Sequence, residues 1–257
     1  MKPVRIFKPI FTLLIVFCFT SAFSQRSVKD STISAFMFQA AYSFQIPLGD
    51  LTEYYGVNST IGGAVNYKTD QNWLLGAACD FIFGDQISNR SDILSLVATS
   101  EGEVIDGNGT VTSLALFERG FHFQGQVGKI FPILNPNPNS GLMVMAGIGY
   151  LQHRIRIESQ FGTAPQIMDD YAKGYDKMRG GFAMNGELGY LQMSNSRILN
   201  FSASVEVVHA FTKNLRKYDF INMQLNGNEM FNDTYLGFKV RWMIPTYGRA
   251  PEKYYYN

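Results

Sequence analysis

With 257 residues, and 22 Lys and Arg against 21 Asp and Glu, the chain carries a formal charge of +1, which leaves no electrostatic footprint for nucleic acid. Charged residues make up 17% of it and aromatic residues 14%, short of the roughly 25% charge usual in soluble domains. The cysteines exclude a disulfide framework, because Cys18 lies in a segment that reads as a removable leader and Cys79 is then alone.

Lys2, Arg5 and Lys8 form a basic head, Pro9 to Thr20 an apolar core, and Ala22 and Ser24 precede Gln25 as a signal peptidase requires. Residues 1–24 therefore read as a Sec-type signal peptide. The apolar run is shorter than the about 20 residues of a transmembrane helix. Cys18 follows Phe17, not the small residues that precede a lipidated cysteine. Residues 25–33 read as a periplasmic lead-in, 34–246 as the folded part, and 247–257 as a periplasmic tail with tyrosines at Tyr254–Tyr256. Every later apolar run is soon cut by Gly, Asn or a charge. A membrane location for the mature chain thus requires a closed barrel, since lipid satisfies no open backbone group.

Eight segments follow, and period-two alternation is the test of each. Phe36, Phe38, Ala40, Tyr42, Phe44 and Ile46 alternate with Met37, Gln39, Ala41, Ser43 and Gln45. Ile61, Gly63, Val65 and Tyr67 form the apolar face of the second segment, and Trp73 to Phe83 that of the third, against Gly76, Ala78 and Asp80. In the fourth, Phe121, Phe123 and Val127 oppose His122, Gln124 and Gln126. The fifth, Gly141 to Ile155, is apolar on both parities. Phe182, Met184, Leu188 and Tyr190 oppose Asn185 and Glu187, and Leu199 to Val207 oppose Asn200, Ser202, Ser204 and Glu206. Last, Leu236, Phe238, Val240, Trp242 and Ile244 oppose Lys239 and Arg241.

A β-sandwich alternates too, so the connections decide. Short turns at Tyr67–Trp73, Leu134–Gly141 and Ser194–Arg197 alternate with longer links at Pro47–Gly56, Gly84–Ser113, Glu158–Met178 and Thr212–Asn232. Outer-membrane barrels place short turns in the periplasm and long loops outside. The expectation is an all-β, eight-stranded antiparallel up-and-down transmembrane barrel in the outer membrane. Tyr42, Phe44, Tyr67, Trp73, Tyr190, Trp242 and Tyr247 near strand ends suit interfacial girdles, although aromatics also favour strands in general.

An eight-stranded lumen is one that side chains can fill. Asp80, Glu187, Glu206, Lys239 and Arg241 fall on inward parities, and the last four at similar heights. Neighbouring strands are about 4.8 Å apart, so these side chains are expected to form an ion-pair network. It reads as a structural plug; a gate or narrow ion path is the alternative.

His122 is inward, while His153 and His209 sit at the outer ends of the fifth and seventh segments. None has a serine at a spacing that marks a triad, and no His/Cys cluster has metal-ligand spacing. Neither a catalytic residue, a metal nor a cofactor is expected. Gly147-x-Gly149 lies within a strand and lacks the helix of a phosphate loop; small residues there relieve crowding.

The loops carry the remaining signals. Asp92–Ala98 reads as a short helix, and Gly107-Asn108-Gly109 between Val104-Ile105 and Val111-Thr112 as a hairpin, so the third and fourth strands are expected to project beyond the membrane. Lys213, Arg216, Lys217, Tyr218 and Phe220 make the fourth loop a candidate recognition surface for lipopolysaccharide phosphates or a partner protein, or else an ordinary solvated loop.

Ile46-Pro47-Leu48-Gly49-Asp50-Leu51, Ile61-Gly62-Gly63, Tyr67-Lys68-Thr69, Asn72-Trp73, Glu118-Arg119-Gly120, Asn135-Pro136-Asn137-Pro138-Asn139-Ser140-Gly141-Leu142 and Leu151-Gln152-His153-Arg154-Ile155 resemble small outer-membrane β-barrel proteins of the Bacteroidota. This broad, OmpA-like barrel group includes the PorT-like barrels. The resemblance spans nearly the whole mature chain and implies fold and location, with no catalytic residue. Members of the wider group serve type 9 secretion and gliding machinery. Asp30-Ser31-Thr32 is similar to the short O-glycosylation acceptor of that phylum. The functional expectation is a non-enzymatic structural or accessory subunit, set in outer-membrane lipid and lipopolysaccharide, that docks an outer-membrane or periplasmic protein partner through its loops. A small porin or regulated channel is the first alternative and a lipid-modifying enzyme the second.

Overall fold

The computed structural model describes residues 31–134, 137–159, 164–194 and 198–247. The expected signal peptide, most of the lead-in with Asp30, the tail with Tyr254–Tyr256 and part of the turn at Ser194–Arg197 lie outside these residues. Strands β1 (Ala35–Gly49), β2 (Asn58–Lys68), β3 (Trp73–Gly84), β4 (Leu114–Phe131), β5 (Gly141–Ser159), β6 (Arg179–Gln192), β7 (Phe201–Asn214) and β8 (Met230–Tyr247) pair antiparallel in chain order. β1 closes the ring against β8, from Ala35 opposite Tyr247 to Gly49 opposite Asp233. The fold is the eight-stranded up-and-down barrel that the alternation demands.

Parity sets what faces where. Phe36, Phe38, Tyr42, Phe44, Phe81, Phe123, Val205 and Phe238 are exposed on the outer wall, while their chain neighbours are buried inside. Closure makes this tolerable for the backbone, because no strand edge is left open. The interior is layered. At the short-turn end Met37, Leu74, Ile130, Met143, Leu191, Met193 and Met243 form an apolar floor. At the long-loop end Leu51, Tyr55, Ile93, Leu94, Leu151, Ile155, Ile167 and Tyr235 form an apolar ceiling. Polar and charged side chains fill the middle. Glycines make room for them: a Cβ on Gly62 would stand 2.0 Å from Asp80 Oδ1, and one on Gly147 2.3 Å from Asn185 Oδ1.

Strand ends differ from the sequence reading where the lumen is apolar. β4 begins at Leu114, well before Phe121, because Leu114 and Leu116 pack inward under the ceiling while Phe117 faces outward. With apolar groups on both faces, period two is invisible there. It is β4 and β5, not β3 and β4, that run on beyond the ring: β3 stops at Gly84, whereas Leu114 still pairs with Ser159. The first loop, 50–57, is no longer than the turns at 132–140 and 193–200, because β1 continues through Pro47 to Gly49. It still exceeds the turn that follows it, 69–72, so longer and shorter connections alternate throughout the chain.

Loop 2 contains a helix at Arg90–Leu94, earlier than the expected 92–98. Asn89, at φ 50°, donates from Nδ2 to Glu53 O over 2.8 Å and fixes its start. Ile93 and Leu94 turn into the ceiling. The hairpin forms at the expected strands, Val104–Ile105 and Val111–Thr112.

Candidate functional site

Mid-lumen, Lys239 reaches two carboxylates: Nζ donates to Asp80 Oδ2 at 3.0 Å and lies 2.7 Å from Glu206 Oε2. Glu206 Oε1 also accepts from Ser43 Oγ at 2.7 Å and Gln45 Nε2 at 3.2 Å. Arg241 holds Glu187 through both terminal nitrogens, with Nη2 2.5 Å from Oε2. All five charged residues are buried. Three carboxylates face two cations, a set whose members are paired, as buried charges must be. His122 stands opposite Asp80 in the ladder, with no hydrogen-bond partner at Nε2 among the described residues.

One layer nearer the loops, a second cluster closes the mouth. His153 Nε2 and Asp233 Oδ2 are 2.9 Å apart with no solvent access, and Thr212 Oγ1 donates to the same carboxylate. Glu118 accepts from Tyr235 Oη at 2.8 Å and Asn58 Nδ2 at 2.9 Å. Tyr55 from loop 1 sits edge-on to His153 at 5.1 Å. His209 is separate and bonds Thr234 Oγ1 at 2.8 Å. Among the described residues Ser43 is bound to the Glu206 carboxylate and Ser204 Oγ donates to Lys239 O at 3.3 Å, neither to a histidine, and no three His, Cys, Asp or Glu side chains converge as a metal site.

The fourth-loop residues have different fates. Arg216 Nε donates to both carboxylate oxygens of Asp176 at 3.0 Å. Phe220 packs on Tyr175, ring centres 5.3 Å apart, and Tyr218 packs on Phe220 at 5.5 Å. Lys213 and Lys217 remain on the surface. Beside them Lys177 bridges to Asp219 at 2.6 Å and lies 5.2 Å from the centre of the Tyr54 ring. Burial first, and then the Glu53 carboxylate, push the Tyr54 phenol well up from its ordinary range. These side chains frame a cleft of about 230 Å³ between loops 1, 3 and 4. Arg179 forms part of its wall, stacked 3.6 Å from the Phe231 ring centre, with long ion contacts to Glu53 (3.8 Å) and Asp233 (3.9 Å).

Sequence reasoning missed both the cleft and the opposite closure. Asn139 Oδ1 accepts from Lys68 Nζ at 2.9 Å and from Ile33 N at 2.8 Å, and Asn137 Nδ2 donates to Met193 O at 2.6 Å. The asparagine-proline motif thus ties the lead-in and two turns across the barrel floor. Its signal was the density of side-chain amides in so short a turn.

No protein-family model matches the chain, and no curated protein matches it in sequence. Solved structures match in outline. The crystal structure of Ail, the attachment invasion locus protein of Yersinia pestis, in complex with the heparin analogue sucrose octasulfate, is 8% identical, with 82% of this chain and 99% of Ail covered at a TM-score of 0.42. Neisserial surface protein A is 13% identical, with coverage of 80% and 96% and a TM-score of 0.37. At these values nothing about ligand or role passes from either to this chain.

Proposed function

We propose that the chain is an integral outer-membrane protein whose barrel is a seat and whose loop end is the recognition surface, making it a structural or accessory subunit for a protein partner. The observation that carries this reading is the contrast between a lumen closed by paired charges between two apolar layers and a shaped cleft open at the loop end. A filled eight-stranded lumen leaves no continuous water path, which weighs against the porin. Among the described residues no serine is positioned against a histidine and carboxylate, which weighs against the enzyme. The apolar outer wall supports the membrane location, since monomeric soluble proteins rarely expose so large an apolar surface. A place in secretion or gliding machinery rests on the motif resemblance to Bacteroidota barrels alone, and no single motif marks it.

Co-purification in mild detergent tests the docking claim. Gln224→Trp with Leu225→Glu alters the cleft rim at exposed positions. It is expected to remove the partner while leaving a heat-modifiable barrel in the outer-membrane fraction. An unchanged partner set would overturn the loop-end docking. Steady single-channel currents from the purified protein in planar bilayers would put the porin first.

A further inference from the structure

The outer wall holds a charge arrangement that the barrel itself does not explain. Arg119 on β4 and Arg154 on β5 are directly opposed in the ladder, both on the outward parity. Like charges directly opposite each other destabilise a sheet. No carboxylate among the described residues pairs with either: Arg156, two positions further out, takes Glu158 at 2.6 Å. Arg119 donates from Nη1 to the carbonyl oxygens of Glu118 (2.7 Å) and Gly84 (3.5 Å) and lies 4.8 Å from the Phe117 ring centre. These contacts fix its direction and leave the rest of its guanidinium edge open.

Their height is informative. On β5 the outward residues Leu142, Val144, Ala146, Ile148 and Tyr150 are apolar or aromatic, then Gln152 and Arg154 follow. Leu142 to Arg154 rises about 30 Å along the barrel axis at roughly 3.4 Å per residue and a tilt near 40°. The apolar band of such barrels is about 25 Å tall, so Arg154 stands just past its loop-side edge.

A groove with an aromatic deeper end borders Arg119 on its β1 to β3 side. Directly opposed residues Phe44, Ser59, Phe83, Arg119 and Arg154 run across five neighbouring strands. Such rows climb toward the loops in the direction β1 to β5. The row through Gln124, for example, passes Gly149, Ala183, Ala210 and Asp233 to reach Gly49 at the loop end of β1. With strands about 4.8 Å apart and tilted near 40°, each step gains roughly 3 Å. Phe44 therefore lies about 9 Å deeper than Arg119. A groove of about 410 Å³ has Phe44 and Phe83 at its deeper end, passes Arg119, and has Asp85 and Phe117 at its loop-side end.

From this we infer that Arg119 and Arg154 clamp the phosphate of a lipid in the loop-side leaflet, with an acyl chain lying in the Phe44–Phe83 groove. The planar guanidinium fork suits phosphate oxygens, and a phosphate between the two would turn their repulsion into a shared counter-ion. The inference rests on the membrane reading above.

The full-length mature barrel is reconstituted into phosphatidylcholine vesicles carrying a diphosphorylated lipid A, or the same lipid A without phosphates, then extracted in neutral detergent for native mass spectrometry. Retention of the phosphorylated lipid is expected, falling about tenfold or more in Arg119→Gln/Arg154→Gln. Lys129→Gln, a cation at the opposite rim stacked on Trp73 at 4.8 Å, should retain it fully. In phosphate-free detergent Arg154→Gln should unfold at the same or a higher midpoint than the native protein, because it removes a repulsion. A structural arginine would lower it. Equal retention of dephosphorylated lipid, full displacement by millimolar inorganic phosphate, or retention unaffected by the double substitution would each overturn the clamp. If the native barrel fails to insert and shows no heat-modifiable mobility, the membrane reading falls with it; insertion with indifference to phosphate sinks the clamp alone.

Discussion

Arg241 and Arg216 each grip a carboxylate through more than one nitrogen, yet their settings differ. Arg241 and Glu187 project from β8 and β6 across the lumen, their side chains 3% and 0% exposed. Arg216 and Asp176 belong to loops 4 and 3, their side chains 23% and 7% exposed. In the lumen the ladder fixes both backbones before the side chains meet, and water cannot replace a lost partner. In the loop cap the ion pair helps to define where the backbone goes, and water can. The same chemistry therefore supports global stability in one place and local order in the other.

The sharpest way to break this comparison is to remove one cation from each setting. Arg241→Met leaves the Glu187 carboxylate buried without its partner, and a loss of about 3–5 kcal/mol is expected, read as the unfolding midpoint in urea with detergent. Glu187→Leu added to it should restore most of that, since a packed apolar pair can replace a buried ion pair. A single substitution within about 1 kcal/mol of the native protein would mean that the lumen is wet. Glu206→Gln should cost less than Arg241→Met, because Lys239 keeps Asp80 at 3.0 Å.

The cap answers differently to a larger change. Replacing Gln86–Val111 with a short Gly/Ser turn removes Ile93, Leu94 and Val104 from the ceiling and uncovers Leu51 and Leu151. The barrel should still form, because every ladder bond of the ring lies outside the replaced segment. Exposing these two ceiling residues predicts a cost of about 3 kcal/mol, with heat-modifiable mobility kept. Failure to form a barrel at all would show that the ceiling nucleates the ring.

These two regions were not equally legible in the sequence. Parity alone assigns Asp80, Glu187, Glu206, Lys239 and Arg241 to the inside, since a strand offers only two faces and the outer one here is apolar. Their contacts then depend on register, and the similar heights counted from strand ends brought four of them close. In the loops no such period exists. Arg216, Lys217, Tyr218 and Phe220 looked alike as a basic-aromatic run, yet Arg216 turns to Asp176 and Phe220 to Tyr175, while Lys217 stays on the surface. Partners from a different loop have no sequence spacing to announce them. Arg119 and Arg154 were hidden for another reason: near the mouth the polarity of the faces inverts, with Leu116, Leu151 and Ile155 inside and Arg119, Gln152 and Arg154 outside, so a polar parity no longer marked the lumen there.

A smaller effect sharpens the comparison further. Arg216→Ala should cost about 1 kcal/mol or less, as a partly exposed pair does. Its clearer sign should be faster protease cleavage within 164–178 and 215–229, with the barrel midpoint nearly unchanged. If the midpoint falls as far as in Arg241→Met, the cap and the lumen form one cooperative unit and the distinction between them fails.

The smallest effect lies at the tip of loop 2, at the outer edge of the cap. Asp106 Oδ1 accepts from the backbone N–H groups of Thr110 (2.9 Å) and Asn108 (2.8 Å), and Gly109 completes the turn at φ 81°. Those N–H groups, Thr110 first, hold the carboxyl below its ordinary value of 3.8. A depressed carboxyl favours the folded hairpin while it is ionised. That contribution is full above the ordinary value and is lost as pH falls through the lower, folded one. Acid below about pH 4 should therefore loosen 104–112 without touching the ring. Amide exchange in the hairpin, corrected for the intrinsic pH dependence of exchange, should lose protection between pH 6 and pH 3. Asp106→Asn should keep its protection constant over that range, since an amide oxygen accepts the same two bonds without titrating. Equal loss of protection in the native protein and in Asp106→Asn would assign the acid sensitivity to another group, and no loss in either would leave the carboxyl without influence on the hairpin.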